Sequence, residues 1–182
     1  EVNVVTPGWG DDRVSIEART APDGSFELSV PNGPYFVSVR YRYGHRVYYS
    51  ARGLVLSSSD ADTLRVAGDI HELAFACGRL TVDAELPGEF AGRTFRCEAI
   101  PVADPWLSID SSGDMTSPLH AELRLVPPGQ YRLQLWCSGS GGVFLPPTYD
   151  ADLADVVEVQ TGQDTIYHAN IEEATILAGT AT

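Results

Sequence analysis

The residues able to do chemistry are few and scattered. Four histidines, His45, His71, His120 and His168, share no ligand spacing, and His71-Glu72 lacks the second histidine, four positions after the first, that a zinc-binding helix requires. The three cysteines, Cys77, Cys97 and Cys137, are separated by 20 and 40 residues, so no C-x-x-C pair exists to hold zinc or exchange disulfides. Ser138-Gly139-Ser140-Gly141-Gly142 has serine where a G-x-S-x-G nucleophile elbow begins with glycine, and it reads as a hairpin or loop. Asp150, Asp152 and Asp155 offer oxygen ligands without the EF-hand order or its glycine turn; like Asp60 and Asp62 they read as solvated loop residues. The sequence therefore predicts no enzyme, no cofactor and no metal.

The most unusual stretch is Val39 to Arg52. Tyr41, Tyr43, Tyr48 and Tyr49 alternate there with Arg40, Arg42, Arg46 and Arg52 about a Gly44-His45 turn. Stacking faces and guanidinium forks suit a sugar ring, or an acidic patch on a neighbouring copy. The plainer reading is a hairpin whose tyrosines pack inward while its arginines snorkel to water. The surrounding charge is opposite: 25 acidic residues face 12 basic ones, all arginine, for a formal net charge of -13. Such a surface repels phosphate backbones, so nucleic acid is not an expected partner, and it keeps exposed β-proteins apart in solution. No apolar run approaches the roughly 18 residues that would span a bilayer. With Glu1 first and neither a starting Met nor a signal peptide, the sequence reads as a processed chain or an excerpt.

The elements that position these residues are strands. Short segments rich in Val, Tyr, Phe, Leu and Thr alternate apolar and polar at period two, separated by turn clusters such as Pro22-Asp23-Gly24, Pro31-Asn32-Gly33 and Pro127-Pro128-Gly129. The best helix candidate, Ala151 to Val157, allows one turn at most. The expected fold class is all-β.

Two internal matches organise the chain. Ser25 to Val39 reads like Ala121 to Leu135, with a one-residue slip before the turn; both give strand, Gly-x-Tyr turn, strand, and Tyr35 and Tyr131 lie 96 residues apart. The glycine is expected to supply a positive φ. The tyrosine opens an inward face continued by Val37 and Val39, or by Leu133 and Leu135. The second match aligns Phe75-Ala76-Cys77-Gly78-Arg79-Leu80-Thr81 with Ile176-Leu177-Ala178-Gly179-Thr180-Ala181-Thr182, an offset of 101 residues. Gly78 opens a strand with Leu80, Val82 and Ala84 on one face, followed by one with Phe95, Cys97 and Ala99 facing in. By the same spacing, the first strand of the repeat containing Tyr35 would precede residue 1. The sequence opens on a second-type strand, Val2 to Val5, and closes on a first-type strand, so the repeats run in permuted register.

These residues resemble the carboxypeptidase regulatory-like and Cna-B-like branch of the transthyretin (prealbumin-like) superfamily. The marks are a first strand with an early Gly, an alternating second strand, the Asp23-Gly24-Ser25-Phe26 segment, and the Pro-x-Gly-x-Tyr turns at Pro31 to Tyr35 and Pro127 to Tyr131. The second repeat departs from the pattern around Ser111-Ser112-Gly113-Asp114. The resemblance implies two tandem transthyretin-like Greek-key sandwiches, the first lacking its own first strand: residues 1–73, then 74–173, then a strand at 174–182. The Lys-to-Asn or Lys-to-Asp isopeptide bond of pilin relatives is excluded, because the sequence has no Lys. The family places the strands of Cys97 and Cys137 side by side, which implies a disulfide between them or two buried thiols.

The expected function follows from the permuted register. The last strand, with Ile176, Leu177, Gly179 and Ala181, would insert beside an acceptor strand with Val2, Val4 and Val5 in another copy, making a head-to-tail filament of secreted or surface-exposed subunits. Neighbouring repeats of a longer chain could supply the same strand. The alternative is a surface stalk or carbohydrate-binding module using Arg40, Tyr41, Arg42, Tyr43, Arg46, Tyr48 and Tyr49.

Overall fold

The computed structural model describes residues 1–7, 14–21, 25–40, 45–51, 53–68, 73–86, 93–111, 118–137 and 141–171. The period-two segments form strands: β1 (Val2–Val5), β2 (Ser15–Ala18), β3 (Gly33–Arg40), β4 (Arg46–Ser50), β5 (Gly53–Val55), β6 (Thr63–Val66), β7 (Gly78–Glu85), β8 (Phe95–Pro101), β9 (Ile109–Asp110), β10 (Leu119–Val126), β11 (Gly129–Cys137), β12 (Gly141–Phe144), β13 (Val156–Val159) and β14 (Asp164–Asn170). The described helices are single 3-10 turns, Ser58–Asp60 and Ala151–Leu153, the second inside the segment expected to give one turn. The protein is all-β.

From β7 onward, two sheets face each other. One runs β10-β7-β14, with β10 antiparallel and β14 parallel to the central β7. The other runs β12-β11-β8-β9, with β13 also on β11. Alternation drives the packing: Leu80, Val82 and Ala84 of β7 meet Phe95, Cys97 and Ala99 of β8 and Leu133 and Leu135 of β11 in one buried cluster. Every one of these side chains is at most 4% exposed, so each contributes most of its ~1.5–3 kcal/mol of apolar burial where the side chain is large.

Residues before β7 repeat only one of these sheets. β3 has β1 on one edge and, on the other, β6 along its first half and β4 along its second; β2 lies beyond β1. β11 is flanked in the same way by β8, β13 and β12, with β9 beyond β8. Another buried cluster, Val2, Val4, Tyr35, Val37, Val39 and Val47, lines this sheet; in chain order it is the first cluster, and the one around β7 is the second. The two clusters meet at Leu56, which packs against both, and at Leu125 of β10, which reaches the first.

The slip between the two tyrosine-bearing segments has a structural cause. β10 carries a bulge between Arg124 and Val126, where Leu125 has φ 59°. The turn itself differs from expectation: Gly33 is not among the positive-φ residues. What the two turns share is the tyrosine, whose ring folds back over the glycine. Tyr35 Oη donates to the Pro31 carbonyl at 2.8 Å and Tyr131 Oη to the Pro127 carbonyl at 2.6 Å.

Candidate interaction site

Among the described residues, no second sheet forms against β1 and β3. Residues 25–30 occupy the place of β10 in chain order, and residues 73–77 the place of β14. Both segments alternate half-buried and exposed residues as strands do: Phe26, Leu28 and Val30, then Leu73 and Phe75, pack against the first cluster while Glu27, Ser29, Ala74 and Ala76 are exposed. Neither forms a ladder. Among the described residues, no backbone-to-backbone hydrogen bond is made by 26–30 or 73–76, and no strand lies between them. Their counterparts in the second cluster are almost fully buried: Leu119 at 2%, Ala121 and Leu123 at 0%, and Ala169 at 9% exposure. There, β7 runs between the flanking strands and pairs with both. In the first half, Phe26 and Phe75 meet directly, with ring centroids 6.0 Å apart. Among the described residues, Val2, Val4, Tyr35 and Val37 thus lie under two apolar segments that join no sheet.

Val2, Val4 and Val5 are buried in β1, but β1 is paired on both edges, with β2 from Val2 to Val5 and with β3 over the same residues. The expectation that a further strand inserts beside Val2, Val4 and Val5 therefore meets no open edge on β1. The donor residues Ile176, Leu177, Gly179 and Ala181 lie outside the described residues, as do Tyr41, Arg42 and Tyr43.

The remaining members of the Tyr/Arg patch are partly committed elsewhere. Arg40 bonds the Glu1 carboxylate at 3.0 Å while its carbonyl accepts from the Glu1 ammonium group at 3.0 Å. Tyr49 packs against the first cluster, and Tyr48 and Arg46 take the other face of β4. His45, beside them, is half-buried against the second half: its Nε2–H donates to the Leu125 carbonyl at 3.1 Å. Burial lowers the His45 pKa, opposed by that hydrogen bond and by the negative charge of Asp110.

The expected Cys97 to Cys137 bridge does not form; both side chains are buried as thiols. The strands are adjacent, but the register sets Cys97 opposite Leu135 and Cys137 opposite Phe95. The two cysteines are therefore diagonal neighbours, farther apart than a disulfide's usual geometry accepts. Burial pushes the Cys97 thiol up to about 12, and raises that of half-buried Cys77.

Two clusters escaped the sequence reading because only strand register creates them. On the outer face of β10-β7-β14, Asp83 stands between His120 and His168, its Oδ1 2.6 Å from His120 Nδ1 and its Oδ2 3.8 Å from His168 Nδ1. Among the described residues, no group of three or more His, Cys, Asp or Glu is arranged to hold a metal. On the opposite outer face, Trp136 lies over Gly142 and bonds Glu98, whose pKa is raised by burial and by Asp110 and lowered again by the indole. The acidic loops are used structurally: Asp150 caps the 3-10 turn through Asp152 N at 3.0 Å, Asp155 accepts from Tyr167 Oη at 2.9 Å, and Asp62 accepts from Ser50 Oγ at 2.9 Å. Among the described residues, no helix is long and apolar enough to cross a membrane.

No family model and no curated protein matches the sequence. Among solved structures, the chain is similar to the Bacillus anthracis TIE protein, at 11% identity and a TM-score of 0.34, over 93% of this chain and 31% of that one. It is also similar to a leucine-rich repeat protein from Bacteroides thetaiotaomicron VPI-5482, at 15% identity and a TM-score of 0.32, over 93% of this chain and 24% of that one. The chain spans less than a third of the length of either structure.

Proposed function

We propose that this protein is a non-enzymatic structural subunit of the cell exterior, secreted or held at the surface, that assembles by β-strand complementation. In this reading residues 1–73 and 74–173 are two transthyretin-like Greek-key sandwiches. Residues 174–182 of one copy supply the central strand that the first sandwich of the next copy lacks. Donor and acceptor surfaces differ, so the contact is heterologous and propagates into an open filament unless it closes into a ring.

The observation that carries this reading is the pair of segments 26–30 and 73–76. Two apolar segments hold strand-like alternation over the first cluster, in a layer whose counterpart in the second half contains β7, and in this reading the place for a strand, a slot, lies between them. A strand entering there runs antiparallel to 26–30, as β7 does to β10, and parallel to 73–77, as β7 does to β14. It gives a ladder to backbone that makes none among the described residues and adds to the burial of Leu28 and Val30, the two gains that drive strand addition. The commitment of Arg40 and Tyr49 to contacts within the chain weighs against the Tyr/Arg hairpin as a sugar platform.

Light scattering coupled to size exclusion tests the reading. The full chain is expected to give concentration-dependent multimers, whereas a chain lacking residues 174–182 stays monomeric and binds a synthetic 174–182 peptide. Monomers at every concentration, with no peptide binding, would sink it. If the mass of the native polypeptide proves much greater than 19.6 kDa, the strand comes from a neighbouring repeat of the same chain instead.

A further inference from the structure

The complete half shows what a strand must carry to enter this kind of slot. β7 starts at Gly78, directly over the end of β13. A Cβ on Gly78 would stand 2.6 Å from the Gln160 carbonyl oxygen and 2.6 Å from Val159 Cγ1. Both distances are below any real contact, and one of the partners is backbone that cannot swing aside. The position requires a residue without a side chain.

The first half repeats the surroundings of this position. Val66 pairs with Gly33 as Val159 pairs with Gly129, so Val66 and Ala67 stand where Val159 and Gln160 stand. Val30 stands where Val126 stands, each followed by the proline whose carbonyl accepts from the tyrosine. With the Leu125 bulge set aside, Leu28, Glu27 and Phe26 correspond to Leu123, Glu122 and Ala121. In the complete half, Gly78 is opposite Val126, Arg79 opposite Arg124, Leu80 opposite Leu123 and Thr81 opposite Glu122.

The segment 174–182 has one glycine, Gly179, and the internal match aligns it with Gly78. Resting on the strand-complementation reading, we infer that Gly179 of one copy seats over Val66 and Ala67 of another and thereby fixes the register of the exchanged strand. Thr180 then lies opposite Ser29, Ala181 opposite Leu28 and Thr182 opposite Glu27. Thr180 and Ser29 share the solvent face, while Ala181 points into the core beside Leu28. A slip of one residue would turn Thr180 inward and bring a side chain over the Ala67 carbonyl.

The register is read by paired cysteines placed in an otherwise cysteine-quiet surface, in a Cys77→Ala background. Directly opposed residues lie within disulfide reach and diagonal ones do not. The chain carrying Ser29→Cys with Thr180→Cys is expected to give disulfide-linked multimers on mild oxidation, and Ser29→Cys with Thr182→Cys to give few. Independently, Gly179→Val should weaken assembly by about tenfold or more through overpacking, while Trp106→Ala, at an exposed position outside the proposed contact, leaves it unchanged. Urea midpoints of the variants beside that of the parent separate an effect on docking from one on the folding of either half. Multimers that cross-link through 182, or a Gly179→Val chain that assembles like the parent, would overturn the register and leave strand exchange standing. A parent chain that never assembles overturns both.

Discussion

At the scale of single residues, the two tyrosine turns carry the most local information. Tyr131 Oη reaches a buried carbonyl, and burial raises its pKa. Removing the hydroxyl with Tyr131→Phe leaves the Pro127 carbonyl without that donor and is expected to cost about 1–3 kcal/mol. Tyr35→Phe, where the bond is only partly buried, should cost less, and urea midpoints of the two variants rank them. The tyrosines and their inward partners were legible from alternation alone, because phase along one strand decides which face a side chain takes. The cysteine pairing was not, because phase says nothing about register between strands: Cys97 and Cys137 share a core and miss each other by two positions. With its thiol held at about 12, Cys97 has almost no thiolate at pH 8. In a thiol-labelling time course it should therefore stay unmodified until urea unfolds the chain; fast labelling of Cys97 in the native state would contradict its burial.

At the scale of elements, the junction between the two halves rests on a hairpin and a bulge. His45 follows β3 and meets the carbonyl of Leu125, the bulged residue of β10. Burial lowers the His45 pKa below its ordinary value of 6.5, so the unfolded chain binds this proton more readily than the folded one. The sign follows: above 6.5 the group is neutral in both states, and as pH falls through 6.5 toward the lower folded value, stability is lost. Glu98 runs the other way, because its raised pKa makes the folded state the better proton acceptor, and stability falls as pH rises through its folded value. Thermal melts of the parent between pH 7.5 and 5.5 should therefore show a loss that His45→Gln diminishes, since glutamine keeps an N–H for Leu125 without titrating. An unchanged slope would place the loss elsewhere. None of this junction was readable in the sequence, where His45 sits in an Arg/Tyr run and Leu125 looks like one more strand residue. A bulge shows there only as a one-residue slip. β1 was readable as a strand but not as one closed on both edges, because pairing partners are a property of topology rather than of alternation.

At the scale of the whole molecule, charge opposes the proposed assembly. Each copy carries a formal net charge of -13, whereas the segment 174–182 has no ionisable side chain, and of 25–30 only Glu27 is charged. Strand exchange between copies therefore gains nothing from ion pairs at the slot and works against the repulsion of two acidic bodies brought end to end. Salt separates these contributions. The screening length falls from about 30 Å at 0.01 M to about 8 Å at 0.15 M ionic strength, which is enough to hide most of one copy's charge from the next. Hydrogen bonds of the ladder and apolar burial are barely touched over that range. Assembly followed by sedimentation velocity is thus expected to strengthen as sodium chloride rises from 0.01 to 0.15 M and then to level off. An association driven by Arg46 and Tyr48 docking on acidic patches would do the opposite and weaken with salt. A decline in multimer mass over this range would therefore place the contact on the Tyr/Arg hairpin, and the slot between 26–30 and 73–76 would lose its claim to be where copies meet.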